Sequence, residues 1–197
     1  MNLGTGWLPS DQGPPEDVAG VHVPVWSAIE NAPFPTRRCE YRWFAKQFEA
    51  APRGTVLDAG AGFNPEIHLM PQILGNLGFD VLAVDAEPLS LQMPLHLKVR
   101  RYCGDLCDLP FAPASFDYWV CVSVLEHMEE AAKLAALEEA FWLLKPGGYA
   151  LLTTDETEPS LVAEWLTATG FSLGVTDNIP PPSPLSPRVA FAVAQKP

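Results

Sequence analysis

Residues 55–65, TVLDAGAGFNP, place a carboxylate and two closely spaced glycines directly after an apolar run. The run predicts a buried strand, and Asp58 follows it. Gly60 and Gly62 predict a tight turn, because glycine tolerates a left-handed backbone and lets a ligand approach the main chain closely. The same glycines would suit an ordinary strand-to-helix turn. Taken alone, the segment leaves a nucleotide-like ligand and a purely structural turn equally open.

Three more polar side chains follow apolar runs later in the chain. Asp85 ends the run VLAVD, Asp105 lies in CGDL after the third run, and Ser123 follows FDYWVCV. Open α/β sheets bind ligands outside the carboxyl ends of their parallel strands. If these runs are neighbouring parallel strands, all these side chains converge with Asp58 at one edge. The alternative for each acid is a capping or surface role.

Apolar runs alternate with helical segments, which predicts a parallel sheet with right-handed crossovers. The predicted helices are residues 36–50, 65–75, 128–144 and 159–169, and the strands after the first are 79–85, 97–103, 116–122, 149–154, 171–176 and 188–194. The last two strands flank the proline-rich segment 177–187, where no helix fits. They therefore predict an antiparallel hairpin with a long loop.

A proline-rich segment precedes the first predicted helix, and the helix itself carries an aromatic stripe. Residues 1–35 are proline-rich but contain tryptophans and aliphatic residues, which favours an arm lying over the domain rather than a disordered leader. In the helix itself, Tyr41 and Phe44 belong to one buried stripe. Trp43 lies off this stripe, so it packs against the arm or contacts a substrate.

Composition limits the partners that this chain can bind. Its 197 residues suit one domain, and 24 acidic against 12 basic residues give a formal net charge of −12. Nucleic acids and anionic membranes need a surplus of Lys and Arg, and here only Arg37, Arg38 and Arg42 form a local cluster. Charge therefore disfavours both partners.

The four cysteines form no C-x-x-C pair, which disfavours disulfides and zinc and fits a reducing cytosol. The amino-terminal residues show no basic-then-apolar signal, and no apolar run approaches the ~18 residues of a membrane span. These features predict a soluble, cytoplasmic protein.

Five sequence blocks in order resemble the class I S-adenosylmethionine (SAM) dependent methyltransferases, and most closely the Methyltransf_11-type branch. The blocks are DAGAG at 58–62, the acid-ended VLAVD, GDL at 104–106, VLEH at 124–127 and LKPGG at 144–148. The resemblance covers about residues 54–155 well and the tail loosely. It implies an α/β, Rossmann-like sheet of seven strands in the order 3-2-1-4-5-7-6, with the last strand antiparallel and helices on both faces.

The resemblance also implies SAM as cofactor, S-adenosylhomocysteine as product, and a set of cofactor-binding residues. These are Asp58, Ala59, Gly60, Gly62, Asp85, Ala86, Asp105, Leu106 and Ser123. Asp58 would hold the SAM ammonium, Asp85 the ribose hydroxyls and Asp105 the adenine amino group, while Leu106 presents backbone to the adenine. The glycines would line the methionine and ribose, and Ser123 would lie beneath the sulfonium.

A nicotinamide dinucleotide is the rival ligand for this turn. In the G-x-G-x-x-G pattern the third glycine would fall at Pro65, and Glu66 would stand at the helix amino terminus that must accept a pyrophosphate. A carboxylate repels phosphate, whereas SAM carries no phosphate and has a positive sulfonium. Both the pattern and the charge favour SAM.

Methyl transfer needs alignment of the reactants, and it needs a base only where the acceptor must lose a proton. His127 is the titratable candidate for that base, with a structural or shielding role as its alternative. Arg37, Arg38 and Tyr41 are candidates for binding the SAM carboxylate or an anionic acceptor, and Trp43 for contacting the substrate. No metal-ligand set is visible.

The sequence therefore predicts methyl transfer to a small-molecule acceptor by domain 36–197, with residues 1–35 as a possible lid. Ser123-Val-Leu-Glu126 stands where amino-methylating nucleic-acid enzymes carry [DNS]-P-P-[YFW], so a nucleic-acid substrate is less supported, as is a protein. The alternative class is a SAM-binding partner subunit without catalytic activity. Oligomeric state is left open.

Overall fold

The computed structural model describes residues 29, 30, 32, 34–64, 67–88, 99–179 and 186–197. The predicted arm lies almost entirely outside these residues, as do the crossover before the third strand and most of loop 177–187. Ile29 and Glu30 form a helical turn just before the first long helix, and Ile29 is fully buried.

Seven strands of the described residues form one sheet in the order β3-β2-β1-β4-β5-β7-β6. The strands are β1 Thr55–Ala59, β2 Asp80–Asp85, β3 Val99–Cys103, β4 Phe116–Val122, β5 Leu144–Asp155, β6 Ser172–Ile179 and β7 Val189–Gln195. Pairs β1–β2, β2–β3, β1–β4 and β4–β5 are parallel, and β7 is antiparallel to both β5 and β6. The predicted order and terminal hairpin are confirmed.

Helices cover both faces of the sheet, as predicted. They are α1 Pro35–Glu49, α2 Met70–Asn76, α3 Glu130–Leu143 and α4 Pro159–Ala168, with a 3₁₀ turn at Leu125–His127. Apolar side chains of α1 and α2 share one buried cluster with alternate residues of β1 and β4. Those of α3 and α4 share a second cluster with the intervening residues of the same strands. Burial on both faces explains the continuous apolar runs.

The helix predicted to begin at residue 65 begins at Met70 instead. The backbone oxygen of Asn64 accepts hydrogen bonds from the backbone N–H groups of Ile67 and His68, which closes a turn there. The Tyr41 hydroxyl then donates to the Ile67 oxygen and accepts from the N–H of Leu69 at 3.2 Å. These tertiary bonds hold the segment in an irregular path, so the helix starts later.

Other boundaries also differ from the sequence-based expectation. The helix predicted at 128–144 runs from Glu130 to Leu143, and a separate 3₁₀ turn at Leu125–His127 precedes it. Strand β5 starts at Leu144, five residues before the predicted start, because pairing with β4 jumps from Phe116–Leu144 to Tyr118–Tyr149. The skipped residues, Lys-Pro-Gly-Gly, form an irregularity of the kind found at β-bulges.

Asp117 fastens the amino end of β1 to β4 and β5. Its Oδ2 accepts the backbone N–H of Thr55 at 2.8 Å and the Thr55 hydroxyl at 2.9 Å, and its Oδ1 accepts Lys145 Nζ at 2.8 Å. Burial alone would raise the pKa of Asp117, but the bonds from Lys145 and Thr55 lower it below the usual 3.8.

Replacing Asp117 with Ala should destabilise the fold by about 1–3 kcal/mol, because it leaves Thr55 and Lys145 without their acceptor. Urea unfolding at pH 7 measures this loss. The loss should be present above pH 3.8 and shrink as the pH falls through the lowered folded-state pKa.

Asp80→Ala is the matched control, since it removes an exposed carboxylate whose ion pair with Arg100 is 3.4 Å long. It should cost less than about 1 kcal/mol. Equal losses for the two variants would show that Asp117 does not fasten the strand.

Candidate functional site

The carboxyl edge of the parallel strands brings the predicted acids into one region. Asp58 is the second-last residue of β1 and is 1% exposed, and Asp85 is the last residue of β2. Ala59 ends β1 and is buried, and Ser123 follows β4 directly. Burial raises the pKa of Asp58 to about 7, with Arg101 lowering it and Asp85 raising it further.

The turn after β1 is built for close approach. Gly60 and Gly62 have φ of 75° and 68°, which is left-handed backbone that disfavours other residues. A Cβ on Gly60 would lie 2.4 Å from Val124 Cγ2, and one on Gly62 would lie 2.0 Å from His68 Nδ1. Both glycines are therefore required by shape as well as by backbone conformation.

Asp85 ties this turn to the end of β2. One carboxylate oxygen accepts the N–H of Gly62 at 2.7 Å, and the other accepts the N–H of Glu87 at 2.8 Å. Each oxygen of a carboxylate has a further acceptor position, so the group can still receive donors from a ligand. Ala86, beside it, is exposed.

The third predicted acid lies after β3. Asp105 is exposed, and its Oδ1 accepts the N–H of Cys107 at 2.9 Å, so it caps its own turn. Leu106 is buried in the second apolar cluster. The N–H of Gly104 donates to the Asp85 backbone oxygen at 3.0 Å, which joins this turn to the end of β2.

Arg101 also belongs to this region, although sequence reasoning did not identify it. It lies on β3, and its Nη1 is 3.5 Å from the Gly62 oxygen. Its Nε and Nη2 are buried without a hydrogen-bond partner among the described residues, and so is Oδ2 of Asp58. The sequence signal was the pair of consecutive arginines in VRRYC. Neighbouring residues of a strand point to opposite faces, so the two arginines must lie on different sides of the sheet.

Glu40 of α1 is the second residue that sequence reasoning missed, and it is fully buried. Its Oε1 accepts the hydroxyls of Ser123 and Thr153, each at 2.6 Å, and its Oε2 pairs with Arg37 Nη1 at 2.9 Å. Burial raises the pKa of Glu40, while Arg37 and the two hydroxyls oppose that rise. The sequence contains a signal for this burial. Glu40 lies four residues before Phe44, so it shares the buried face of the helix.

Ser123 has φ of 49°, a left-handed conformation uncommon for residues other than glycine. Its hydroxyl is directed to Glu40. Strained backbone of this kind persists only where surrounding contacts fix it, and it concentrates at functional sites.

The predicted acceptor-side residues fall into two groups. Arg37 and Arg38 are partly buried, and Arg38 Nε donates to the Ala32 oxygen at 2.7 Å. Tyr41 and Trp43 are each 2% exposed. The Tyr41 hydroxyl is used by the segment before α2, and the Trp43 ring packs at 4.8 Å from both Phe44 and Phe191.

A cavity of about 580 Å³ opens beside α1. Its polar lining includes Arg37, His68 and Asp155, and its apolar lining includes Phe34 and Ile67. Nδ1 of His68 accepts the N–H of Asn64 at 3.0 Å, which places the proton of the neutral ring on Nε2. Burial, with the nearby Arg37, lowers the pKa of His68.

His127 is exposed at the end of the 3₁₀ turn. Its neighbours are two carboxyls: Glu126, whose Oε1 accepts the N–H of Asp155 at 2.9 Å, and Asp155 itself. Burial raises the pKa of both Glu126 and Asp155, and the nearby His127 opposes part of that rise. One oxygen of each is buried without a partner among the described residues.

The sheet order and the acids at its carboxyl edge define a class I methyltransferase fold. Residues 57–152 match the family model Methyltransf_11, described as a methyltransferase domain. The family match and the sheet order together identify residues 57–152 as a class I SAM-dependent methyltransferase domain.

Two curated relatives share part of this sequence. The tRNA (carboxymethyluridine(34)-5-O)-methyltransferase of Arabidopsis thaliana is 29% identical over 171 residues, which cover 84% of this chain and 40% of the relative. The ubiquinone biosynthesis O-methyltransferase of Xanthomonas campestris is 32% identical over 121 residues, 58% of this chain and 48% of the relative. The chain thus spans about half the length, or less, of these relatives.

A solved structure covers more of the chain. The Burkholderia thailandensis 1,6-didemethyltoxoflavin-N1-methyltransferase, with bound 1,6-didemethyltoxoflavin and S-adenosylhomocysteine, aligns with a TM-score of 0.64 over 93% of each chain. The identity is 21%, so the likeness concerns the fold.

Two kinds of feature are absent from the described residues. None of their helices has the length and apolar character needed to span a bilayer. Nor do these residues contain a group of three or more His, Cys, Asp and Glu side chains placed to bind a metal ion.

Replacing Glu40 with Ala should destabilise the protein by about 3 kcal/mol or more, because the Arg37 guanidinium and the hydroxyls of Ser123 and Thr153 lose a buried acceptor. Glu40→Gln should cost less, since its amide oxygen still accepts a hydroxyl. Chemical denaturation of both variants measures the difference.

Glu49→Ala, at the end of the same helix, is the control. Glu49 is half-buried, so its replacement should change stability by less than about 1 kcal/mol. A loss for Glu40→Ala no larger than that of the control would contradict the anchoring role of Glu40.

Proposed function

We propose that this protein binds SAM at the carboxyl edge of its sheet and transfers the methyl group to a small-molecule acceptor. The observation that carries the proposal is the convergence of Asp58, Asp85 and the turn at Gly60–Gly62 at the ends of β1 and β2. A buried carboxylate oxygen without a partner beside a turn that excludes side chains suits a cationic ligand held close to the backbone.

The residues present fit SAM in charge as well as in shape. Asp58 would receive the ammonium, and Asp85 the ribose hydroxyls through its remaining acceptor positions. Asp105 and Leu106 would contact adenine, while Ala59, Ala86 and Ser123 would complete the walls. When bound, SAM supplies a methyl group on a positively charged sulfonium; the chain binds it, orients it and limits water around it.

The acceptor would enter the cavity beside α1. Its lining combines a cation at Arg37, an anion at Asp155 and apolar walls at Phe34 and Ile67, which suits a small molecule with both polar and apolar parts. The two curated relatives are named as O-methyltransferases and the solved neighbour as an N1-methyltransferase. These names support an oxygen or nitrogen acceptor.

The formal charge of −12 supports a small molecule over RNA, although one relative is named for a tRNA substrate. Where the acceptor must lose a proton, His127 is the proposed base. Arg37 and Arg38 are proposed to bind an anionic group of SAM or acceptor. Tyr41 and Trp43 would contribute by shaping α1, since both are buried.

A SAM-binding partner without turnover is the second candidate, because no residue above is required for transfer itself. Release of S-adenosylhomocysteine with candidate acceptors separates the two functions. Tight binding of SAM without release, across phenols, carboxylates and amines, would favour the partner role.

Replacing Asp85 with Ala should weaken SAM binding at least tenfold, because two ribose hydroxyls lose their acceptor. Asp85→Asn should lose less, since it keeps one acceptor oxygen. Calorimetry with SAM and S-adenosylhomocysteine measures both, and Asp80→Ala at the other end of β2 serves as control. Wild-type protein that binds neither ligand at high micromolar concentration would rule out the proposed function.

The arm of residues 1–35 is proposed to form a lid over the acceptor cavity, which would keep water from the reacting groups. Deleting residues 1–28 should leave a folded domain that binds SAM, because buried Ile29 and the ion pair of Glu30 with Arg42 remain. Methyl transfer should fall at least tenfold.

Hydrogen exchange with and without S-adenosylhomocysteine provides a second measurement of the lid. Residues 1–28 should be protected in the bound state. Exchange at the unprotected rate in both states, together with full turnover after deletion, would contradict the lid.

A further inference from the structure

Asp58 and Arg101 lie in one row across the sheet. Asp58 pairs with Ala83 of β2, and Ala83 pairs with Arg101 of β3. Residues in register across parallel strands point to the same face. Both side chains therefore lie on the face covered by α1 and α2, and only the small side chain of Ala83 stands between them.

The atoms of this pair are poorly satisfied within the described part of the chain. Oδ2 of Asp58 and both Nε and Nη2 of Arg101 are buried and lack a partner, while Nη1 of Arg101 reaches the Gly62 oxygen only at 3.5 Å. Buried polar groups in folded proteins nearly always have partners, and charged ones are the most costly exceptions. Such an arrangement indicates a site completed by a ligand.

Titratable groups from four elements lie close enough to Asp58 to interact with it electrostatically. They are Tyr41 of α1, Asp85 of β2, Arg101 of β3 and Cys121 of β4. Arg101 supplies the positive charge in this set, and it opposes both the burial of Asp58 and the repulsion from Asp85. Burial of Arg101 lowers its own pKa, and the two carboxylates counter that effect.

We propose that Arg101 is a positioning residue of the cofactor site, which keeps Asp58 ionised so that it can receive the SAM ammonium. Arg101 acts through Asp58 and does not itself bind the reacting part of the cofactor. The inference rests on the proposed function, since it assigns the ammonium to Asp58. A purely structural Arg101 would instead support the turn at Gly62 equally at every pH.

The two roles differ in how cofactor affinity depends on pH. Without the cation, Asp58 holds its proton to a higher pH, so Arg101→Gln should bind SAM about tenfold more weakly than wild type near pH 6.5, and the deficit should shrink towards pH 8.5. Wild type and variant bind the same ligand, so the ratio of their affinities cancels any effect of the titration of the ligand's own ammonium. Arg101→Lys, which keeps the charge, should follow the wild-type profile.

Arg100→Gln is the matched control, because Arg100 is the preceding residue of β3, faces the other side and is 67% exposed. Its affinity should match wild type at each pH. In an Asp58→Asn background, Arg101→Gln should no longer change the pH profile. Should the Gln variant not fold, Arg101→Met removes the same charge.

A measurement without ligand separates this inference from the proposed function. Carbon NMR of aspartate carboxyls labelled with ¹³C follows the titration of Asp58 in the free protein, assigned with Asp58→Asn. Arg101→Gln should raise the midpoint by about one pH unit, while Arg100→Gln should leave it unchanged.

An unchanged Asp58 midpoint in Arg101→Gln would overturn the proposal, as would a loss of affinity that is equal at all pH values. If wild type binds neither SAM nor S-adenosylhomocysteine, the proposed function fails, and a shifted midpoint would then show that Arg101 tunes Asp58 for another purpose. A shifted midpoint together with the pH-dependent deficit supports the inference.

Discussion

The hydrogen bonds to the buried carboxylate of Glu40 hold the carboxyl edge of this sheet and the first helix together. A carboxylate taken fully out of water is costly unless charged and hydroxyl donors surround it, and here Ser123, Thr153 and Arg37 do so. The bonds link α1 to the carboxyl ends of both β4 and β5. Through them, Ser123 keeps its left-handed backbone and Arg37 faces the cavity. One carboxylate thus positions both the cavity beside α1 and the end of β4.

The parts of the fold that depend on local patterns could be predicted from the sequence. Strands buried on both faces leave continuous apolar runs, and parallel topology then places Asp58, Asp85 and Ser123 at one edge without further information. The tight turn after β1 was predictable from its glycines, because left-handed backbone admits few other residues. The sheet order itself came from resemblance, since pattern alone does not order strands.

Contacts between distant segments could not be predicted in this way. Glu40 and Thr153 are 113 positions apart, and the row that joins Asp58 to Arg101 depends on strand register. The late start of α2 has the same origin, because Tyr41 of α1 fixes the segment before that helix. In the sequence, each of these residues is an ordinary member of a helix or strand. Its role depends on a partner that is distant along the chain.

The carboxyl edge of the sheet carries one group of charges on each of its two halves. On the β1–β2–β3 side, Asp58 and Asp85 face the guanidinium of Arg101, which is two carboxylates against one guanidinium. On the β4–β5 side, Glu40 and Asp155 share Arg37, so the formal balance of charge is the same. The two halves differ in the hydrogen bonds that their buried atoms make. Both oxygens of Glu40 have partners, whereas Oδ2 of Asp58 and two nitrogens of Arg101 have none among the described residues, because Ala83 and the fixed strands keep that carboxylate and that guanidinium apart.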